Sequence, residues 1–443
     1  MKRTIEAELF KWNNKPDRKP LVLRGARQVG KTYSLKYFGE HYFPSFHYIN
    51  FEKDESLASI FEKDLDPKRI VKDLSFYLNT SIDLKNDLLI FDEIQYVPKA
   101  LTSLKYFYEE YPSLAICCAG SLLGLHLSDD AFPVGKVEFL NMYPMSFEEF
   151  LLAAGDARSI EILSELNIKS VISDIIHDHL WEELKKYFVV GGLPEVVKTY
   201  IDDIDNQFDA MNRVRAKQND LIMAYIADMA KHSGKQNAMH IERIWRNIPA
   251  QLARAQDGTS AKYQFKGVVP GIKRYAKLAG SLDWLETAGL IIKTYIINKG
   301  EIPFSAYSKE SQFKLYLFDV GILGALSELP VNIILDYDYG SYKGYFAENF
   351  AAQEFLYSGV QSLYCWQGRT SEVEFVREYE GDILPIEVKS GWVTQSKSLK
   401  IFAEKYEAKY RSILSANNFK IDFTNKVHRY PIYLASRFPL KEI

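Results

Sequence analysis

Cysteine is scarce: the 443 residues hold three, Cys117, Cys118 and Cys365. Two are adjacent in an apolar run that reads as a buried strand. No spacing matches a zinc site or a disulfide framework. Long apolar runs are missing as well. None approaches the roughly 18 residues that cross a bilayer, and Met1-Lys2-Arg3-Thr4 leads into a mixed polar helix instead of an apolar signal segment. A cytoplasmic protein with no membrane partner is expected. Charge of one sign is also lacking, because 55 Lys and Arg nearly balance 58 Asp and Glu. The net charge of −3 excludes a globally basic nucleic-acid binder, so any such contact has to arise from a local patch. A hydrophobic content of 47% and a charged content of 26% fit a globular chain. The length calls for about two to four domains.

What is present concentrates first in Gly25-Ala26-Arg27-Gln28-Val29-Gly30-Lys31-Thr32. An apolar run, Leu21-Val22-Leu23, precedes it, and residues 32 to 43 read as a helix. Strand, glycine loop and helix in that order make a Walker A phosphate-binding loop, or P-loop. A triphosphate has to be held by backbone N–H groups at close range, so no Cβ can stand at the two ends of the loop. The helix adds its positive end. Lys31 is expected to reach the β- and γ-phosphates of ATP, and Thr32 to place its hydroxyl on Mg²⁺.

A second signal is Leu88-Leu89-Ile90-Phe91-Asp92-Glu93. Four apolar residues in a row indicate a parallel strand buried on both faces, and the two carboxylates fall at its carboxyl edge, where open α/β sheets bind ligands. Asp92 is expected to hold Mg²⁺ through water, and Glu93 to polarise the attacking water as general base. A further strand, Leu114 to Ala119, ends in Gly120-Ser121. Ser121 is a candidate γ-phosphate sensor, with a plain Gly-Ser turn as the competing reading.

These segments, together with Phe91-Asp92-Glu93-Ile94-Gln95 and Tyr143-Pro144-Met145-Ser146-Phe147-Glu148-Glu149-Phe150, resemble one family. It is the prokaryotic AAA+-type ATPases whose C-terminal half is a domain of unknown function. The resemblance runs through the whole chain and implies a preference for ATP and a homo-oligomer. Relatives carry Gly-Arg shortly before the Pro-x-Ser-Phe motif. Here Gly135-Lys136 keeps the charge and loses the forked geometry. Gly191-Gly192-Leu193-Pro194-Glu195 matches a Gly-Gly-x-Pro-Glu turn of the same family. Residues 157 to 232 read as mainly helical, which corresponds to a lid on the nucleotide. Arg213 and Arg215 are candidate sensor or finger arginines, against a reading as solvated helix charges.

From Met239 the pattern changes. Ile241, Ile244, Trp245 and Ile248 recur at helical spacing up to Pro249. Ile272, Tyr275, Ala276, Ala279, Leu282 and Leu285 outline a second helix that stops at Gly289. Leu290 to Ile297, a turn at Asn298-Lys299-Gly300 and a return at Lys314 to Phe318 then give helix, helix, hairpin. That is the outline of a winged helix-turn-helix, which the resemblance also implies. Residues 243 to 299 hold ten basic residues against three acids, Asp257, Asp283 and Glu286. A recognition helix with Lys273, Arg274 and Lys277 is expected to meet DNA phosphates. Charge spent on acidic neighbours within the chain is the alternative.

In the last part, residues 344 to 357 read as a helix carrying Glu348 and Asn349. Tyr364-Cys365-Trp366 reads as a core strand. Glu372-Val373-Glu374-Phe375-Val376 is a period-two strand, and Leu384-Pro385-Ile386-Glu387-Val388-Lys389 puts Glu387 and Lys389 on one face. This resembles the PD-(D/E)xK nuclease-like fold. The resemblance implies Glu374 and Glu387 as metal ligands, Lys389 as the water-activating cation and Glu348 as an upstream acid. Relatives read Glu-Val-Asp-Phe where Glu372-Val373-Glu374-Phe375 stands, one methylene shorter at the ligand.

The expected fold class is therefore α/β. It is a parallel-sheet AAA+-like P-loop core at 1–150, a helical lid at 151–235, a winged helix at 236–330 and a nuclease-like α/β domain at 331–443. The expected activity is Mg²⁺-dependent ATP hydrolysis coupled to a DNA-interacting C-terminal half. The alternative is an ATP-dependent switch for a protein partner, with a degenerate nuclease-like domain.

Overall fold

The structure is a computed structural model that describes residues 1–121, 133–256, 262–337, 340, 342–392 and 396–441. Asp257, one of the three acids counted above, lies outside the described residues. Two compact units result: Met1–Tyr143 with Thr287–Gly289, and Pro144–Glu286 with Leu290–Ile443.

The first unit is built on five parallel strands, β1 (Leu21–Arg24), β2 (Phe46–Asn50), β3 (Leu88–Asp92), β4 (Ala115–Gly120) and β5 (Glu138–Asn141), in the order β2-β3-β4-β1-β5. Every residue of β3 and β4 is buried. That explains their uninterrupted apolar sequence, since parallel strands in the middle of a sheet are covered on both faces. Helices Pro67–Tyr77 and Pro98–Glu110 bury Ile70, Leu74, Leu104 and Phe107 in a core with Leu89, Phe91 and Ile116. Each such side chain contributes about 1.5–3 kcal/mol of burial. With all strands parallel, the carboxyl ends of β1, β3 and β4 open on the same edge.

The second unit opens with six helices, from Phe147–Ala153 to Lys235–Gln256. The last carries Pro249 inside it and continues past the expected stop. Eight strands follow: β6 (Ile291–Ile297), β7 (Ser308–Leu317), β8 (Leu363–Gln367), β9 (Glu372–Tyr379), β10 (Asp382–Val388), β11 (Arg411–Ser415), β12 (Lys420–Asp422) and β13 (Val427–Pro431). They form one sheet in the order β12-β13-β11-β10-β9-β8-β6-β7. The expected wing, β6–β7, is thus the edge pair of the same sheet that carries the strands of Glu374 and Glu387. β6 pairs with β8 in parallel, from Thr294 opposite Leu363 to Ile297 opposite Trp366. Ile297, Trp366, Val373, Phe402 and Ile413 share one core.

The expected recognition helix is corrected. The helix runs only from Ala279 to Thr287, after a single 3₁₀ turn at Tyr275–Lys277. Arg274 is extended, with φ −119° and ψ 139°. Lys273, Arg274 and Lys277 therefore lie ahead of the helix, and all three are exposed.

Two motifs of the sequence meet inside this unit. Ser146 caps helix Phe147–Ala153 in a capping box with Glu149. A Cβ on Gly192 would lie 2.1 Å from the Met145 carbonyl oxygen, so only glycine allows the Met145 N–H to reach the Gly192 carbonyl at 2.6 Å. The Tyr187 hydroxyl donates to the Met145 carbonyl at 2.5 Å and accepts from Gln353 Nε2 at 2.6 Å.

Candidate functional site

The loop Gly25–Thr32 leaves β1 and enters helix Lys31–Tyr42. Gly25 has φ +150°, and a Cβ there would stand 2.0 Å from the Met142 carbonyl oxygen. Gly30 turns the chain at φ +99° as the helix cap. Lys31 is buried, and its ammonium donates to the carbonyls of Gly25 at 2.9 Å and Ala26 at 2.7 Å. Burial lowers its pKa to about 8, with Glu93 and Asp92 opposing that drop. Two neutral carbonyls are weak competitors for an ammonium that a phosphate oxygen can approach.

Asp92 ends β3, buried. Its Oδ2 accepts from the Thr32 hydroxyl at 2.9 Å and the Tyr48 hydroxyl at 2.7 Å, and its Oδ1 from the Glu93 N–H at 3.1 Å. Asn50, opposite Asp92 across β2 and β3, donates to the Tyr48 hydroxyl at 3.1 Å. Glu93 sits in the left-handed region at φ 52°, ψ 42°, the kind of backbone strain that collects at functional sites. Its carboxylate accepts from Gln95 Nε2 at 2.5 Å. Burial raises its pKa and Asp92 adds to the rise, while the Gln95 bond, Lys31 and Arg27 oppose it. Ser121 follows β4, buried, and its hydroxyl accepts from Arg27 Nε at 3.2 Å. The loop, both carboxylates and Ser121 are thus gathered at one edge of the sheet.

Sequence reading passed over Arg3 and Tyr48. Arg3 is buried and donates to the carbonyls of Val29 and Tyr143, each at 2.8 Å. It pins the P-loop from 22 residues upstream of Gly25, and no local pattern announces it. Tyr48 had a signal: it shares the period-two face of β2 with Asn50. Lys136, standing where relatives carry arginine, pairs with Glu109 at 3.1 Å.

In the C-terminal unit, Glu348, Glu374, Glu387 and Lys389 come together around β9, β10 and helix Tyr342–Tyr357. Lys389 lies 2.6 Å from Glu387 and 3.9 Å from Glu374. Burial pushes the Glu374 carboxyl well above its usual range, with Glu387 alongside adding to the rise. One oxygen of each, Oε2, is buried without a hydrogen-bond partner. A residue absent from the expected set enters here. Lys314 of β7 is buried, 2.5 Å from Glu372 and 3.5 Å from Glu348. Glu348 also accepts from the Tyr316 hydroxyl at 2.7 Å. Among the described residues no three His, Cys, Asp or Glu side chains are grouped to cage a metal ion. The geometry present is an ion cluster bridged by two lysines. Arg213 pairs with Asp203, and Arg215 donates to Gln218 Oε1 at 2.9 Å, so the two candidate phosphate arginines are engaged within this unit.

Comparison with known proteins matches residues 17–151 to the family described as AAA domain. This region is similar to AAA domains. Residues 181–332 and 343–434 match two domains of unknown function, DUF8612 and DUF4143. An uncharacterised protein of Methanocaldococcus jannaschii is 26% identical over 212 residues, 45% of this chain and 42% of that protein. The match therefore spans less than half of that relative's length. Among solved structures, the Walker-type ATPase of Pyrococcus abyssi overlaps 73% of this chain and 95% of its own, at 16% identity and a TM-score of 0.45. The Thermotoga maritima RuvB Holliday junction branch migration motor overlaps 66% and 87%, at 15% identity and 0.30.

The likeness of residues 17–151 to AAA domains, together with the loop, supports ATP binding and hydrolysis. No helix among the described residues is long and apolar enough to cross a membrane.

Proposed function

We propose that the AAA domain hydrolyses ATP with Mg²⁺ and that turnover is coupled to a C-terminal half that contacts DNA. The observation that carries the first part is the convergence of Lys31, Thr32, Asp92 and Glu93. Lys31 exchanges its loop carbonyls for β- and γ-phosphate oxygens. The Thr32 hydroxyl and Asp92 carboxylate, within hydrogen-bond distance of each other, are the hard oxygen donors that Mg²⁺ takes, and they would hold it. The ion would neutralise phosphate charge as the bond to the leaving group breaks. Glu93 orients the attacking water and draws on its proton, and its raised pKa suits a base. Gln95 fixes the direction of that carboxylate. Ser121, tied to Arg27, senses the γ-phosphate.

The DNA part is supported by a basic loop in place of a recognition helix. Lys266, Lys273, Arg274 and Lys277 are exposed, and among the described residues none makes an ion pair. Lysines and arginines in that condition are available for backbone phosphates. By contrast, Lys293 is buried and taken up by Glu286 at 2.5 Å. The lysine-bridged carboxylate cluster favours a second reading for the nuclease-like site, as a platform that binds without cleaving.

The test is steady-state ATPase activity with and without duplex DNA at two salt concentrations. It uses wild type, Glu93→Gln and a Lys273→Glu/Arg274→Glu/Lys277→Glu variant. Turnover is expected to depend on Glu93, with DNA stimulation that fades with salt and is lost in the triple variant. Hydrolysis that ignores DNA at both salt concentrations would refute the coupling, and hydrolysis unaffected by Glu93→Gln would refute the site.

A further inference from the structure

A cavity of about 1080 Å³ runs between one face of helix Gln207–Ser233 and the segment from Ala325 to Leu335. From Phe208 to Met223 its wall covers 16 residues of helix, roughly 22 Å at 1.5 Å per step. Three features mark it. The first is apolar surface left in water: Phe208 is 76% and Met223 61% exposed. The second is a floor of buried apolar side chains, Met211 and Ile222 among them.

The third is Arg215. Among the described residues its guanidinium bonds only neutral oxygens, Gln218 Oε1 at 2.9 Å and the carbonyls of Gly321 and Leu329 at 3.5 and 3.4 Å. Burial lowers its pKa to about 10, and no acid opposes that drop. A partly buried arginine among carbonyls normally has a carboxylate within reach. Glu328, which lines the groove, makes no ion pair with it among the described residues.

We infer that this groove binds an amphipathic helix of a partner protein, with an Asp or Glu on the apolar face of that helix meeting Arg215. The dimensions select the class. The volume exceeds the range of about 300–1000 Å³ typical of small-molecule sites. The walls are helical faces with no free strand edge, so the fitting mode is a helix laid in a groove. Methionines on both wall and floor suit a surface that repacks around its guest. A nucleic acid would find a largely apolar groove with two arginines, the recessed Arg215 and Arg246, which pairs with Glu242 at 2.9 Å. The inference stands on the C-terminal unit alone and does not depend on DNA contact.

The experiment is a selection on the full-length protein from a displayed library of 18-residue helical peptides. Apolar residues occupy i, i+4 and i+8, and the positions between them are randomised. Enriched peptides are expected to share an acid on the apolar side. Their affinity is expected to fall about tenfold or more on Arg215→Gln and on Met223→Ser. Met223 is exposed, so its variant tests the groove without burdening the fold. A charge-swapped peptide, Lys for the shared acid, is expected to lose binding to wild type and to lose nothing further on Arg215→Gln. Failure to enrich any peptide on wild type over the Met223→Ser variant, enrichment without a shared acid, or binding to both variants as tight as to wild type would overturn the inference.

Discussion

Glu354 gives a pH dependence that can be worked through. It lies on helix Tyr342–Tyr357, fully buried, and its Oε1 accepts from the Phe147 N–H at 3.2 Å. Burial is the main cause that lifts its pKa from 4.5 to about 8. The Phe147 N–H opposes the rise, and Glu148 and Glu149 add to it. Arg437 occupies Glu148 through two bonds of 2.5 and 2.7 Å, and among the described residues Glu354 has no ion-pair partner. In the unfolded chain the carboxyl titrates near its ordinary value. Between that value and 8 the unfolded state has lost a proton that the folded state keeps. The stability Glu354 provides is therefore fully present below 4.5, declines as pH rises to 8, and is flat above. Integrated over that window the loss is on the order of 4 kcal/mol. Glu354→Gln keeps the acceptor for Phe147 and carries no charge. It should match wild type near pH 5 and exceed it by a few kcal/mol at pH 8, an order-of-magnitude figure from the same linkage. Urea unfolding at pH 5, 6.5 and 8, followed by tryptophan fluorescence, measures this. Trp181, Trp245, Trp284, Trp366 and Trp392 all report on the C-terminal unit. Parallel stability curves for the two proteins would refute the reasoning.

Three more outcomes are expected. Gly192→Ala pushes a methyl to 2.1 Å from a carbonyl oxygen, and a loss of about 3 kcal/mol or more is expected; an unchanged thermal midpoint would show that the junction can yield. Lys314→Met leaves Glu348 and Glu372 without their buried counter-charge, and about 3 kcal/mol should be lost. Adding Glu348→Gln should return part of it in urea titrations, and no recovery would refute the pairing. ATPase kcat/KM should have an acid limb above the ordinary glutamate range, from the raised Glu93, and an alkaline limb near the Lys31 pKa of about 8. A flat profile through both regions would contradict the assigned roles.

The first unit was legible because its signals are local. Gly25, Gly30, Lys31 and Thr32 sit in eight consecutive residues, and the burial of β3 on both faces is written as four apolar residues ahead of Asp92. The helix with Glu348 and the strands with Glu374 and Glu387 were readable for the same reason, through period and length. What was illegible depends on partners far along the chain. Nothing near Thr294 says that it will lie opposite Leu363, and nothing near Lys314 says that Glu372 will neutralise it. Arg3 looks like any polar residue at a chain start until Val29 is placed beside it. The expected recognition helix failed on a local conflict. Ile272 and Tyr275 fit helical spacing, but the extended Arg274 divides the run before Ala279.

The pairing of β6 with β8 limits how this protein can be taken apart or recombined. One family region ends at 332 and the next begins at 343, which invites a cut between them. Such a cut would strip four backbone rungs from an edge, Thr294 to Ile297, and strand the ammonium of Lys314 on one fragment and its two carboxylates on the other. A hairpin borrowed from a relative would have to bring a matching register and a matching lysine with it. Whatever lineage joined these regions, they now have to be inherited, expressed and exchanged as a single piece from Pro144 onward.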